Sequence, residues 1–321
     1  MALAGSAWVA GPRLARAQQA AFPVVGFMSS RSPGDSVHLM AAFRKGLNEG
    51  GFAEGRNATV EYRWADGDYA RLPELATELV QRRVSVIVSA GGDASTQAAM
   101  RATSTIPIVF GSGSDPVATG YVASINRPGG HVTGVSIVTN QMEPKRLGLL
   151  TEMVPGATHI GVLLNDRFEP AARQLSDLER AAATLGKRLL VVKASNEQEL
   201  IGAFTALTAQ KPDALLVTAA PFFDTRRDQI VSFAARERLP AMYQFREFPM
   251  AGGLASYGID LVEAYRMFGA FAARVLKGEK PAEMPVQQVE KFELVINLKT
   301  AKTLGFEFPP TFSARANEVI E

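Results

Sequence analysis

VVGFMSSRSPGDS (Val24–Ser36) is the stretch from which the fold is read, because it changes character abruptly in the middle. Val24 to Met28 carry no polar side chain, and a short continuous apolar run of this kind describes a strand covered on both faces. Two serines, Arg31, Pro33-Gly34 and Asp35 follow at once, which describes a polar turn at the carboxyl end of that strand.

The same grammar recurs along the chain. VVGFM (24–28), ATVEYRW (58–64), VSVIVSA (84–90), IPIVF (106–110) and HVTGVSIV (131–138) read as strands. Helical spacing fills the gaps in VHLMAAFRKGLNEGGF, YARLPELATELVQRR and ASTQAAMRAT, the first expected to end at Gly50-Gly51. The series then starts again with HIGVLL (159–164), KRLLVVKA (187–194), ALLVTAA (214–220), LPAMYQF (239–245) and LASYGI (254–259), with helices expected near 168–185, 197–210 and 225–237. Pro107 and Pro240 open equivalent strands at nearly equal distances from Val24 and Ile160, and VIVSAGG matches LLVTAAP. The reading is an α/β protein of two Rossmann-like lobes with parallel sheets and a cleft between them. We expect lobe 1 over 23–138 and lobe 2 over 139–256. Residues 257–321, opening with an amphipathic helix over 260–278, should return to lobe 1 and cross the hinge again.

A chain of 321 residues with 47% hydrophobic side chains can bury two cores of this kind. Thirty-four basic and 32 acidic residues give a net charge of +2 without a basic stripe, which argues against a nucleic-acid partner. Cysteine is absent, so disulfides, thiolate metal sites and a cysteine nucleophile are excluded. Residues 1–22 hold an apolar stretch (Ala2–Ala10) and Ala15-Arg16-Ala17, a small-x-small pattern, and we expect an export signal with the mature chain starting at Gln18. No basic segment precedes the apolar stretch, so a start further upstream is expected.

Nucleotide-binding glycine fingerprints, the P-loop, the nucleophile elbow and the zinc-protease helix are all missing. The three histidines (His38, His131, His159) are scattered and expected to be structural. What remains is a set of polar and aromatic residues at strand ends: Ser29 and Ser30; Ser89, Gly91, Gly92 and Asp93; Asp115 in GSGSDP; Asn165 and Asp166; Pro221 and Phe222 in PFFD; Tyr243; Tyr257 and Asp260. Hydroxyls and backbone N–H groups at helix N-termini suit a carboxylate. Asp93 or Asp115 could take an ammonium, and the aromatic rings could wall the pocket. Each of these residues also caps helices or makes turns. No metal or cofactor is expected.

Three phrases carry a resemblance: MEPKRLGLLTEMVPGATHIGVLLN, REFPMAGGLASYG and KFELVINLKTAKTLGFEFPP. They resemble the tryptophan/tyrosine-type family of ABC transporter substrate-binding proteins over essentially the whole chain from Val24. The resemblance implies a type I periplasmic-binding-protein fold, export, and capture of an amino acid or aromatic acid by hinge closure. It also implies delivery to an ABC permease and ATPase, and it places Ser29, Ser30, Asp115, Asn165 and Tyr257 on the ligand. With no cysteine for a lipid anchor, a free periplasmic monomer is expected. In this family the loop before Pro-Phe-Phe often begins with an aspartate. Here it reads TAAPFF, with Ala220 in that place, which removes a polar contact expected for a standard amino acid. A periplasmic sensing domain is the second reading, and an α/β enzyme the third. A repressor would need a helix-turn-helix ahead of the first strand.

Overall fold

The structure, a computed structural model, describes residues 22–321. The expected export signal, apart from Phe22, lies outside the described residues. Five parallel strands, β1 (Val24–Ser29), β2 (Thr59–Trp64), β3 (Val86–Ala90), β4 (Ile108–Ser112) and β5 (Val132–Ser136), form the first sheet in the order β2-β1-β3-β4-β5. A second set, β6 (His159–Leu164), β7 (Arg188–Lys193), β8 (Ala214–Val217), β9 (Ala241–Tyr243) and β10 (Ala255–Ile259), repeats it as β7-β6-β8-β9-β10. The doubling extends to single atoms. The carbonyl of Pro107 accepts the Ile87 N–H at 2.8 Å, and the carbonyl of Pro240 accepts the Leu215 N–H at 2.9 Å.

Side-chain alternation explains why these strands are apolar throughout. Val25 and Phe27 of β1 enter the core on one face of the first sheet, whereas Met28 enters the core on the other. In β8, Leu215 and Val217 face one way and Leu216 the other. Helices cover both faces. In the first half they are α1 (Val37–Glu49), α2 (Leu72–Gln81) and α3 (Asp93–Ala102). In the second they are α4 (Glu143–Met153), α5 (Ala171–Leu185), α6 (Glu197–Gln210), the short α7 (Pro221–Thr225), α8 (Arg227–Arg236) and the single turn α9 (Glu247–Met250). PFFD, read from sequence as a loop, is the first turn of α7, because Pro221 suits a helix start.

The tail interleaves the lobes. After β10 the chain enters α10 (Leu261–Leu276), which packs on α1 and on β3, β4 and β5 of the first lobe. The short strand β11 (Gln287–Gln288) joins the edge of the first sheet beside β5. The chain then returns to the second sheet, where β12 (Phe292–Asn297) runs antiparallel to β10 and β13 (Glu318–Ile320) parallel to β12. Three segments therefore cross between lobes: the link from β5 to α4, the link from β10 to α10, and the link from β11 to β12.

Two glycines let α10 sit directly on α1. A Cβ at Gly46 would lie 1.8 Å from the Arg266 carbonyl oxygen, and one at Gly269 would lie 2.0 Å from that of Phe43. Backbone atoms cannot rotate away as a side chain can. Gly269→Ala should therefore destabilise the protein by about 1–3 kcal/mol, the range for overpacked cores. Urea unfolding with an unchanged m-value would check it; an unchanged midpoint would contradict this packing.

Candidate functional site

In a sheet of this order the connections leave β1 and β3 in opposite directions, and the crevice that opens there collects ligands at the carboxyl ends of the strands. The two lobes turn these crevices toward one another. Arg31 follows β1, and Gly91 and Gly92 follow β3; Phe168 follows β6, and Ala219, Ala220 and Pro221 follow β8. Together they wall a cleft with ≈ 490 Å³ of space that no protein atom fills, part of it open to solvent. Gly111, Gly113, Ile137, Thr139 and Asn140 close it from the β4 and β5 side, and Phe245, Leu261, Tyr265 and Phe268 supply most of the remaining apolar wall.

Gly91 and Gly92 have φ of +76° and +104°, a region that residues with a Cβ rarely adopt. A Cβ at Gly91 would lie 2.6 Å from Ser30 Oγ, and one at Gly92 would reach Pro221 of the other lobe at 3.2 Å. The pair thus brings the N-terminus of α3 to the cleft surface, where first-turn N–H groups and the helix dipole favour an anion.

Arg31 and Asp224 meet across the cleft. Arg31 Nη2 lies 2.5 Å from Asp224 Oδ2, and each residue is only 4% exposed. Gln244 Nε2 donates to Asp224 Oδ1 at 2.7 Å, and the guanidinium sits 5.6 Å from the centre of the Phe245 ring. Burial pushes the Asp224 carboxyl up to about 6, while Arg31 pulls it the other way. Burial likewise opposes the charge on Arg31, but Asp224, with Tyr265, Glu247 and Asp35 behind it, holds the guanidinium protonated above its ordinary range. Further contacts join the lobes beside it: His38 to Glu247 at 3.0 Å, Asp35 to Arg227 at 3.5 Å, and the Phe222 N–H to the Tyr69 hydroxyl at 3.2 Å.

Two buried carboxylates brace the walls. Asp93 accepts from Ser112 Oγ at 2.5 Å, Ser114 Oγ at 3.0 Å, Asn140 Nδ2 at 3.2 Å and the Tyr121 hydroxyl at 3.3 Å. Burial raises its pKa and these donors lower it. Glu143 Oε1 takes the Ala219 N–H at 2.8 Å and Arg146 Nη1 at 3.0 Å. Arg146 also donates to the carbonyls of Tyr257 in β10 at 2.7 Å and of Thr139 in the β5–α4 crossing at 3.4 Å. Burial pushes the Glu143 carboxyl up against Arg146 and the Ala219 N–H.

Of the residues singled out from sequence, Gly91, Gly92 and Pro221 line the cleft. Ser29 and Ser30 lie just beneath it: Ser29 Oγ accepts the Arg31 N–H at 3.1 Å, and Ser30 Oγ donates to the Gly91 carbonyl. Ser89 is buried against Thr96 at 3.1 Å. Asp93 stands behind Asn140. The others lie elsewhere, each for a reason of local chemistry. Asp115 caps the turn that follows it, accepting the Val117 N–H at 2.9 Å, and borders a separate depression with Val138 and Gln287. Asn165 accepts the Arg167 N–H at 3.1 Å in the turn after β6. Asp166 is exposed and faces Lys193. Phe222 is buried in the second core, and the fully buried Tyr243 stacks on Phe248 at 4.7 Å. Tyr257 stacks on Phe292, and Asp260 caps α10 while pairing with Lys291 at 3.0 Å. His131 contacts the Thr103 carbonyl, His159 lies near Asp213, and His38 joins the interlobe contacts. The sequence reading passed over Arg31, Asn140, Phe168, Asp224, Phe245, Tyr265 and Phe268. Arg31, Asp224 and Phe245 sit inside stretches that were already quoted.

A family model described as ABC transporter substrate binding protein matches residues 33–320. The chain belongs to that family. This substrate-binding protein is 28% identical over 265 residues, covering 83% of its length and 76% of the relative, to a tyrosine-binding protein of Clostridioides difficile strain R20291. Among solved structures, it is similar to an ABC domain from Streptococcus pneumoniae in complex with L-Trp, with a TM-score of 0.81, 23% identity, and 93% and 100% of the two chains covered. It is also similar to a ligand-free, open substrate-binding protein with adhesive properties from Clostridium difficile, with a TM-score of 0.64, 25% identity, and 93% and 99% covered. Among the described residues, no helix is long and apolar enough to cross a membrane, and no group of three or more His, Asp or Glu side chains is placed to hold a metal ion.

In this substrate-binding protein the Arg31–Asp224 pair ties the first lobe to the second. Arg31→Met strands a buried carboxylate in the closed form, a loss of about 3–5 kcal/mol for a broken buried pair. If the lobes can part, Asp224 rehydrates and the loss falls on the contact between them and hardly on folding. Small-angle scattering should show a more extended molecule with the melting temperature within a few degrees of the parent; equal compactness would contradict the role of the pair.

Proposed function

We propose that this protein captures a small solute with a carboxylate and an apolar, aromatic body, closes its lobes over it, and presents it outside the cytoplasmic membrane to an ABC permease and ATPase. The observation that carries this reading is the pairing of the two strand-order crevices across one cleft. The carboxylate sits at the N-terminus of α3, where Gly91 and Gly92 remove the side chains that would block it. Phe168, Phe245, Tyr265 and Phe268 enclose the ring. The names of its relatives, a tyrosine-binding protein and an L-Trp complex, support an aromatic cargo.

Hinge closure has its own support. At similar identity the chain resembles the L-Trp complex more closely than the ligand-free open protein, 0.81 against 0.64. Contacts between the lobes, such as the Tyr69 ring beside that of Phe168 and the Phe222 N–H on the Tyr69 hydroxyl, are of the kind that closure would make. Export, a monomeric state and the two membrane partners belong to the same proposal. We expect capture of the solute without turnover.

Because solute binds the folded, closable protein, it stabilises by mass action, by about 2.7 kcal/mol at 100-fold excess over Kd. A thermal-shift screen against aromatic carboxylates and aromatic amino acids should raise the melting temperature by several degrees for at least one of them. No shift with any aromatic carboxylate or aromatic amino acid would overturn the proposed cargo.

A further inference from the structure

We propose that the cleft prefers aryl-alkyl carboxylates lacking an α-ammonium group to the corresponding amino acids. The inference deepens the solute-capture reading and rests on it. A zwitterion is held best by donors for its carboxylate and a carboxylate for its ammonium, and the cleft supplies the first without a free one of the second.

Donors are in place. Gly92, the residue that opens α3, lines the cleft and sets the positive end of that helix behind it, and the Tyr265 hydroxyl, on a residue 2% exposed that lines the cleft, lies near Ser29 without completing a hydrogen bond. Of the carboxylates near the cleft, all but Glu169 are committed. Asp224 gives one oxygen to Arg31 at 2.5 Å and the other to Gln244 at 2.7 Å. Turning it to an ammonium would leave the buried guanidinium of Arg31 without its partner. Asp93 is surrounded by four neutral donors behind Asn140, and it does not line the cleft. Glu143 is fully buried behind Ala219 and holds Arg146, and Glu169 is exposed and outside the lining. The second-lobe wall opposite α3 is Ala219-Ala220-Pro221, which offers methyl and ring carbons where an acid would be needed. An ammonium entering here loses its water and meets no counter-charge.

The test is calorimetric titration of the full chain with matched pairs, hydrocinnamate against L-phenylalanine and indolepropionate against L-tryptophan, with phenethylamine as the probe that keeps the ammonium and lacks the carboxylate. The expected result is at least about 10-fold tighter binding of the deaminated member of each pair that binds, and no binding of phenethylamine. Equal affinities, or tighter binding of the amino acid, would overturn this inference and leave aromatic solute capture standing. Binding of phenethylamine as tight as hydrocinnamate would overturn the carboxylate assignment. Silence from all five compounds would overturn the aromatic cargo and this inference together.

Discussion

Each sheet departs from a simple progression at one place, beside its first strand. There β2 lies on one side of β1 and β3 on the other, and in the second lobe β7 and β8 flank β6 in the same way. Connections leaving in opposite directions cannot pack over the gap between them, so the carboxyl ends of these strands stay uncovered by their own lobe. Two such gaps turned face to face make a pocket with one wall on each body. The residues that line it, from Arg31 and Gly91 to Phe168 and Pro221, are where they are because of that constraint.

A pocket built from two bodies must be sealed by contacts that can also let go. The interlobe ion pair has this character. It is buried and hydrogen-bonded between the lobes, and under the proposed closure each charge returns to water when they part. A buried pair adds little net stability once desolvation is counted. Under the proposed closure its value would lie in specificity of arrangement, one geometry satisfying both Arg31 and Asp224. Asp93 and Glu143 work differently. They are satisfied within a lobe, or between a lobe and a crossing segment, and so brace the walls themselves.

Much of the architecture was legible in the residues. Short apolar runs such as VIVSA and HIGVLL, rich in β-branched residues and alternating with helical segments, read as strands covered on both faces, and the repeated placement of Pro107 and Pro240 reveals the doubling. Part of the site was legible too, since Gly91 and Pro221 follow central strands. The rest was hidden for physical reasons. Asp115, Asn165 and Asp260 are the residue types that hold ligands at strand ends, and they are equally the types that cap turns and helices, which is what they do here. Arg31 and Asp224 become partners only through closure of two distant segments. Tyr265 and Phe268 belong to the apolar face of α10, most of which is ordinary core; only its packing on the first lobe brings its leading end to the cleft.

The most direct test of closure around a solute is a distance between the lobes. A cysteine-free chain allows clean paired labelling, with Ala70→Cys in the first lobe and Arg167→Cys in the second, both exposed and on opposite sides of the cleft. Pulsed electron spin resonance should show a broad or long distance without solute, and a shorter, narrower one with a saturating aromatic carboxylate. A bound solute with an unchanged distance distribution would contradict capture by closure.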